Sequence, residues 1–162
     1  MKITPFKAKW MMNFYPPLLV NRIFVKSISS DFRKLNVRIK KSWLNRNLQG
    51  TIFGGTIFSA ADPFYALMYW QVFKQKGYKC EAWLKSAEID YLKPGVTDLD
   101  LVFELTEFDI EEALKELALI GRFQKTHLIE VLNTNGEVCA QVKTHVYLRF
   151  PRKPEQDGKS VF

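Results

Sequence analysis

The stretch from Asn47 to Asp62 holds the residues of this chain best suited to acid–base chemistry. Two adjacent glycines, Gly54 and Gly55, open an apolar run, and Asp62 follows near its middle. Glycines at the start of a helix let another molecule approach the backbone closely, and they leave N–H groups free at the positive end of the helix dipole. Such a position suits an anion, or a carbonyl oxygen that gains negative charge when its carbon is attacked.

Asp62 lies between Ala61 and Pro63, and neither neighbour offers its carboxylate a polar partner. Burial among apolar groups raises the pKa of a carboxyl group, and such a group suits a general base or a nucleophile. An Asp-Pro pair is also a favoured start of a helix, so Asp62 could simply cap the turn in which Pro63 removes an N–H donor. From residue types alone capping is the commoner role, and both interpretations remain open.

The run NLQGTIFGGTIFSAAD at residues 47–62 resembles the active-site segment of hotdog-fold thioesterases of the PaaI type, the phenylacetyl-CoA thioesterases. That segment commonly has Asn, then His-Gly-Gly six residues on, then Asp at the end of an apolar helical run. From about residue 13 to 150 the chain is similar to an uncharacterised branch of the superfamily, the domain-of-unknown-function family numbered 4442. The likeness is carried by WLNRN at 43–47, GTIFGGT at 50–56, ADPFYALM at 61–68, GRFQKTH at 121–127 and TNGEVCAQVKTHVYLRF at 134–150.

Residue by residue, the resemblance implies that Asp62 is the general base and that Asn47 is an amide that orients the attacking water. Gly55, with Gly54, would form the turn whose N–H groups hold the developing oxyanion. Contacts with the substrate are expected from the neighbouring positions Phe53, Gly54, Thr56 and Phe58. No metal and no separate cofactor are expected, because coenzyme A would enter as part of the substrate.

The resemblance also implies an α+β hotdog fold, in which a twisted antiparallel sheet wraps around a long central helix. In this family two protomers pair and the pocket lies between them. We therefore expect a cytoplasmic homodimer, or a dimer of dimers, that hydrolyses an acyl-CoA or a related acyl thioester. No nucleic-acid partner and no membrane partner is expected.

One residue departs from the family pattern. Phe53 stands where the hydrolases often have His, and a phenyl ring can neither move a proton nor donate a hydrogen bond. Dehydration that depends on this imidazole is therefore excluded, and thioester hydrolysis must rely on Asp62, Asn47 and the Gly55 N–H. The alternative is a non-catalytic protein that binds acyl groups or acyl-CoA.

The remaining pattern predicts a single domain over residues 1–150 and a flexible polar tail over 151–162. A helix is expected at about 4–14, two paired strands before residue 41, and a central helix at about 54–76. Four strands in a meander should follow, at 82–92, 99–108, 121–132 and 137–150, with a short helix between the second and third that Asp109 caps and Gly121 ends. A two-residue Asn135-Gly136 loop should join the last two strands.

Composition and charge narrow the function classes. The chain has 162 residues, of which 47% are hydrophobic, so it is not a disordered protein. The excess positive charge behind the net charge of +7 lies in the N-terminal part of the chain, because residues 1–50 hold 11 Lys and Arg but one acidic residue, Asp31. This excess could meet nucleic acid, a membrane surface or the phosphates of coenzyme A, or could simply be solvated. Cys80 and Cys139 are expected to be reduced thiols.

Two further groups of residues have plain structural interpretations. The stripe Phe6, Trp10 and Phe14 in the first helix is expected to cover the core rather than to anchor the protein in a membrane. His127 and His145 lie on the two arms of the last hairpin, where the predicted loop turns them to opposite faces of the sheet. A metal site would also need at least one more ligand.

Overall fold

The computed structural model describes residues 3–151, so the tail predicted at 151–162 lies outside the described residues except for Pro151. Six strands form one antiparallel sheet in the order β1-β2-β4-β5-β6-β3. The elements in chain order are α1 (Pro5–Asn13), α2 (Pro16–Val20), β1 (Ile23–Ile28), β2 (Lys34–Ile39), α3 (Gly54–Ala61), α4 (Phe64–Gln75), β3 (Glu81–Tyr91), β4 (Leu99–Glu104), α5 (Glu107–Ile120), β5 (Arg122–Asn133) and β6 (Val138–Arg149). The predicted α+β class is confirmed.

Alternation of apolar and polar residues produces the strands that the sequence predicts. In β2, Leu35, Val37 and Ile39 are fully buried, whereas the residues between them are more exposed. β1 pairs with β2 as expected. One face of the sheet is therefore apolar, and it packs on the central helical segment.

The predicted meander is wrong. β3 pairs with β6 at one edge of the sheet, and β4 pairs with β2 on the far side of β5. The physical reason is the connection over residues 92–98, which contains Pro94 and Gly95 and is too long for a tight hairpin. It crosses the end of the sheet instead, and the Gly95 carbonyl accepts a hydrogen bond of 2.9 Å from the N–H of Ile52 on the way.

The loop between β5 and β6 also differs from the prediction. The loop has three residues, 134–136, because the Asn133 N–H donates to the Glu137 carbonyl. Its last residue, Gly136, has a φ of +79° and donates its N–H to the Asn133 carbonyl. A register shift next to Val131 restores the expected pairing further along the hairpin, so His127 lies opposite Thr144. The two histidines consequently face opposite sides, as predicted.

His127 is a core residue. It stacks on Tyr65 with ring centroids 4.0 Å apart, and its Nε2 lies 3.2 Å from the Tyr69 hydroxyl. Burial lowers the pKa of His127 to about 4, so the ring is neutral at physiological pH. Within residues 3–151 no group of three metal-ligating side chains occurs.

The central helical segment is interrupted where the sequence predicts one continuous helix. α3 ends at Ala61 and α4 begins at Phe64, because Pro63 has no N–H to donate and its ring clashes with the carbonyl four residues back. Asp62 lies at the break. Apart from the exposed Trp70, the aromatic residues of α4 fill the core, at Phe64, Tyr65, Tyr69 and Phe73.

The expectation that the aromatic stripe of the first helix covers the core is wrong. Ala8 and Met12 form its buried face, whereas Phe6, Trp10 and Phe14 are exposed. The two faces lie on opposite sides of the helix because the two sets are offset by two residues, and a two-residue step turns an α-helix by about 200°.

α5 begins earlier than predicted. Thr106, not Asp109, is the N-cap: the Asp109 N–H donates to Thr106 Oγ1 at 3.1 Å, and the Thr106 N–H donates to Asp109 Oδ2 at 2.7 Å. This reciprocal capping box also ends β4 at Glu104, short of the predicted residue 108. Gly121 ends the helix with a φ of +73°, as predicted.

Because Thr106 satisfies a helix N–H group, we expect Thr106→Ala to lower the free energy of unfolding by about 1 kcal/mol. Urea denaturation followed by circular dichroism measures this change. Thr134→Ala is the matched control, since Thr134 is exposed in the β5–β6 turn and lies outside any helix cap. An equal loss in both variants would contradict the capping role.

Candidate functional site

The glycine pair begins α3 in surroundings that only glycine fits. A Cβ placed on Gly54 would lie 2.7 Å from the Tyr91 hydroxyl, and a Cβ on Gly55 would overlap the ring of Phe53. Phe53 is the N-cap of α3 and provides no side-chain cap. Within residues 3–151 the N–H groups of Gly54 and Gly55 accordingly have no acceptor. The first turn of α3 therefore presents two N–H donors at the positive end of an eight-residue helix.

Asn47 shapes the loop that leads to this turn. Its Oδ1 accepts hydrogen bonds from the N–H groups of Gln49 and Thr51, at 3.0 and 3.1 Å, and its Nδ2 donates to Thr51 Oγ1 at 2.8 Å. The side chain therefore fixes the loop, and one amide N–H remains for a further acceptor. A role for Asn47 in orienting water stays a prediction.

Asp62 does not cap the helix that follows it. The N-cap of α4 is Pro63, without a side-chain cap bond, and the capping interpretation is wrong. Asp62 lies at the break between α3 and α4, where part of the residue is accessible to solvent. Partial burial raises the pKa of Asp62, and among residues 3–151 no charged group or hydrogen bond opposes that effect. This is the electrostatic environment of a carboxylate able to accept a proton from water.

Two open cavities lie along the exposed side of the central segment. One, of about 480 Å³, lies at the start of α3 and is lined by Asn47, Thr51, Gly54, Tyr91 and Gly95, among others. The other, of about 440 Å³, lies at the break and is lined by Asp62, Leu67, Trp70, Trp83 and Leu84, among others. The structure thus brings the glycine turn and Asn47 together in one cavity, whereas Asp62 lies in a separate groove.

Gly55 and Asp62 nevertheless share one face of α3. Seven residues turn an α-helix through nearly two full turns and advance it by about 10 Å. Phe58, between them, is partly exposed on the same side. Thr56 is not brought to this face, because it is buried and its hydroxyl donates to Asn21 Oδ1 at 3.2 Å. Phe53 is exposed beside Gly55.

Tyr91 is a residue of this site that the sequence pattern does not single out. It ends β3, and its hydroxyl reaches the first turn of α3 through the space that a Gly54 side chain would fill. Burial raises the pKa of Tyr91, so the hydroxyl keeps its proton and can donate a hydrogen bond at neutral pH. The one signal in the sequence is its place just before the Lys93-Pro94-Gly95 turn.

β3 runs along the exposed side of α3 and α4 in the opposite direction. Its start, at Trp83, lines the Asp62 groove with Trp70, and its end, at Tyr91, lies against Gly54. The eight residues from Trp83 to Tyr91 and the sixteen from Gly54 to Trp70 both span about 25 Å, so the strand matches the helical segment in length. The outer edge of β3 has no strand partner in the described part of the chain.

The sequence matches the family described as a domain of unknown function, DUF4442, over residues 6–148, and the chain belongs to that family. A comparison with curated proteins gave no match. Among solved structures the fold is similar to that of a protein of unknown function from Pseudomonas aeruginosa, named a probable thioesterase. That likeness has 14% identity and a TM-score of 0.77, and covers 89% of this chain and 94% of the other.

Two further structures share the fold. The E. coli PaaI protein of the phenylacetic acid degradation operon has 16% identity and a TM-score of 0.61, with 90% of this chain and 91% of that one covered. A hypothetical thioesterase from Streptococcus pneumoniae, solved with coenzyme A, has 16% identity and a TM-score of 0.57, with 81% and 91% covered. The hotdog fold that the sequence predicts is therefore confirmed. Among residues 3–151 no helix is long and apolar enough to span a membrane.

The raised pKa of Asp62 predicts a pH-dependent effect on stability. The charged carboxylate is disfavoured in the folded state, so Asp62→Asn should stabilise the protein above the folded-state pKa of Asp62. The gain should disappear as the pH falls below about 4, where the carboxyl is neutral in folded and unfolded chains alike. Urea denaturation across this pH range measures the difference.

Asp100→Asn is the control of opposite sign. The Arg38 guanidinium holds the pKa of Asp100 below its ordinary value, so this substitution should destabilise the protein at neutral pH and lose its effect in acid. If Asp62→Asn also destabilised the protein at neutral pH, the unfavourable environment assigned to Asp62 would be wrong.

Proposed function

We propose that this protein is a thioesterase that hydrolyses an acyl-CoA or a related acyl thioester, with Asp62 as the general base. The observation that carries the proposal is that α3 has N–H groups without an acceptor at its start and a carboxylate without a hydrogen bond or ion pair at its end, within residues 3–151. Membership of the hotdog fold supports it, and so does the neighbour solved with coenzyme A.

We infer further that the working unit is a homodimer joined through β3. An eleven-residue edge strand with unpaired N–H and C=O groups is a template for a second strand. Antiparallel pairing about the middle of β3 would set residue 91 of one chain opposite residue 81 of its partner. The Gly54 end of one chain would then lie beside the Asp62 groove of the other.

This arrangement explains why the two halves of the site occupy separate cavities in one chain. The glycine turn with Tyr91 supplies hydrogen-bond donors, and the Asp62 groove supplies the base and an apolar wall that includes Trp70 and Trp83. Joined across a two-fold axis, they form two equivalent sites per dimer. Each site takes its donors from one protomer and its base from the other.

In the proposed reaction, Asp62 accepts a proton from a water molecule while the water oxygen forms a bond to the acyl carbon. The carbonyl electron pair moves to its oxygen, which the N–H groups of Gly54 and Gly55 stabilise as an oxyanion. The tetrahedral intermediate then re-forms the carbonyl and breaks the C–S bond. The proton on Asp62 passes to the leaving thiolate, which yields a carboxylic acid and a free thiol.

The Tyr91 hydroxyl offers one answer to the missing family histidine. Phe53 cannot donate a hydrogen bond, whereas Tyr91 brings a protonated hydroxyl to the same turn of α3 from another element. It could therefore hold the thioester carbonyl or the carbonyl of the pantetheine arm. Such a donor is typically worth a factor of about 10² or more in rate when it meets the oxyanion directly.

We expect Asp62→Asn to lower kcat for acyl-CoA hydrolysis at least about 100-fold, because the amide cannot take the proton from water. Release of the free thiol, followed over a panel of short, long and aromatic acyl-CoA substrates, measures the rate. Glu111→Gln, a carboxylate-to-amide change on the exposed side of α5 and away from β3, is the matched control and should keep its activity. Equal rates in wild type and Asp62→Asn would refute the assignment of the base.

The shared site predicts complementation between two inactive variants. Gly54→Val should block the donor half, and Asp62→Asn removes the base. In a mixed dimer one site carries both changes and the other carries none, so an equilibrated equal mixture should recover about a quarter of the wild-type activity. Each variant alone should stay inactive, and no recovery after verified subunit exchange would mean that each chain builds its own site.

A second candidate function is acyl-CoA binding without turnover. It is favoured by Phe53, whose ring lies against Gly55 and occupies space beside the proposed oxyanion position. A non-hydrolysable CoA thioether separates the two functions. A rise in Tm with the thioether, together with no thiol release from any matching thioester, would support the binding protein and overturn the hydrolase.

A further inference from the structure

The exposed face of α1 is an apolar surface that nothing in the described structure covers. Phe6, Trp10 and Phe14 are 70%, 45% and 67% exposed, and their rings form a continuous row with centroids 6.3 and 5.8 Å apart. Exposed apolar residues continue the row into α2, at Tyr15, Leu19 and Val20. We call this row and its continuation the aromatic face.

The aromatic face is held in place by the opposite side of α1. Ala8 and Met12 are buried in the core. The Asn13 side chain accepts a 2.7 Å hydrogen bond from the Val25 N–H and donates one of 3.2 Å to the Val25 carbonyl, as a neighbouring strand would. The exposure of the aromatic rings is therefore built into the fold, because turning the helix inward would break both contacts.

Lysine side chains flank the aromatic face on both sides. With 100° per residue, Trp10 points directly away from the buried pair Ala8 and Met12, and Lys7 and Lys9 lie on either side of it. Long lysine side chains so placed can extend toward a charged layer while the rings between them enter an apolar one. Helices that lie in the plane of a membrane surface have this arrangement of aromatic and basic residues.

The charge of this region favours an anionic partner over a second copy of the chain. Residues 3–30 contain no acidic residue, and their basic residues are Lys7, Lys9, Arg22 and Lys26. Lys26 lies 4.0 Å from Asp100 and the Arg22 Nε is buried, so Lys7 and Lys9 are the charges beside the aromatic face. Self-contact of two aromatic faces would bring these charges together without compensation, which is unfavourable when the contact excludes water. An anionic phospholipid surface supplies both the negative charge and the apolar layer beneath it.

We propose that the aromatic face docks the protein on membranes that contain anionic phospholipids, as a peripheral protein. Phe6, Trp10 and Phe14 enter the boundary between headgroups and acyl chains, and Lys7 and Lys9 contact the phosphates. The expectation of no membrane partner rested on the stripe covering the core, and its exposed position removes that ground. The proposal does not depend on the proposed catalytic activity.

Sedimentation of the full-length protein with lipid vesicles tests it. Wild-type protein should bind vesicles of phosphatidylcholine with phosphatidylserine and should bind phosphatidylcholine alone much more weakly. Replacing both lysines, in Lys7→Gln/Lys9→Gln, should weaken binding to the anionic vesicles about 25-fold, at about 5-fold for each lysine near the surface. Trp10→Ser/Phe14→Ser should weaken binding at least about 10-fold on the same vesicles.

A matched control is available on the outer helix α5. Phe108 and Leu119 are also exposed, and Phe108→Ser/Leu119→Ser should bind the vesicles as the wild type does. Failure of the wild type to bind anionic vesicles, or equal losses in the α1 and α5 variants, would overturn the proposal. So would a change in oligomeric state of Trp10→Ser/Phe14→Ser without lipid, since the aromatic face would then be an interface between protein chains.

Discussion

Pro63 has no backbone N–H, and the arrangement of the candidate site depends on that missing donor. α3 cannot continue through residue 63, so the central segment divides into α3 and α4 with Asp62 at the break. In an uninterrupted helix, Asp62 would be one more surface residue on a regular turn. At the break its carboxylate lies in a groove with Trp70 and Trp83, and partial burial there raises its pKa. One residue without an N–H thus provides both the position and the proton affinity of the proposed base.

The two glycines at the other end of α3 act through the absence of a side chain. Tyr91 and Phe53 occupy the volumes that side chains at Gly54 and Gly55 would need. Aromatic groups can therefore pack against the helix start, and its N–H groups have no acceptor in the part of the chain that the structure describes. Because β3 follows α3 and α4 over their length, the same strand contributes a wall to the donor cavity and to the Asp62 groove.

Much of this could be predicted from the sequence, for identifiable reasons. Strict alternation predicted β2 and β6, because a half-buried strand imposes a period of two. The glycine pair and Asp62 were found because their spacing is local. The strand order was missed, because the partner of β3 depends on a crossing over residues 92–98 that leaves no periodic pattern. Tyr91 was missed for the same reason: it reaches Gly54 from 37 residues away along the chain. The predicted direction of the Phe6, Trp10 and Phe14 row was wrong because the aliphatic residues Ala8 and Met12, rather than the aromatic rings, face the core.

The two edges of the sheet are protected unequally, and this limits how the protein can assemble. At β1 the Asn13 amide occupies the hydrogen-bonding groups of Val25, and α1 covers the strand, so further strands cannot add on that side. Within residues 3–151, β3 is the edge without a strand or helix across its hydrogen-bonding groups. When two copies of a sheet pair through a single open edge, that edge is occupied in both copies and the assembly stops at a dimer. A sheet with two open edges could instead add further copies without limit and form fibres.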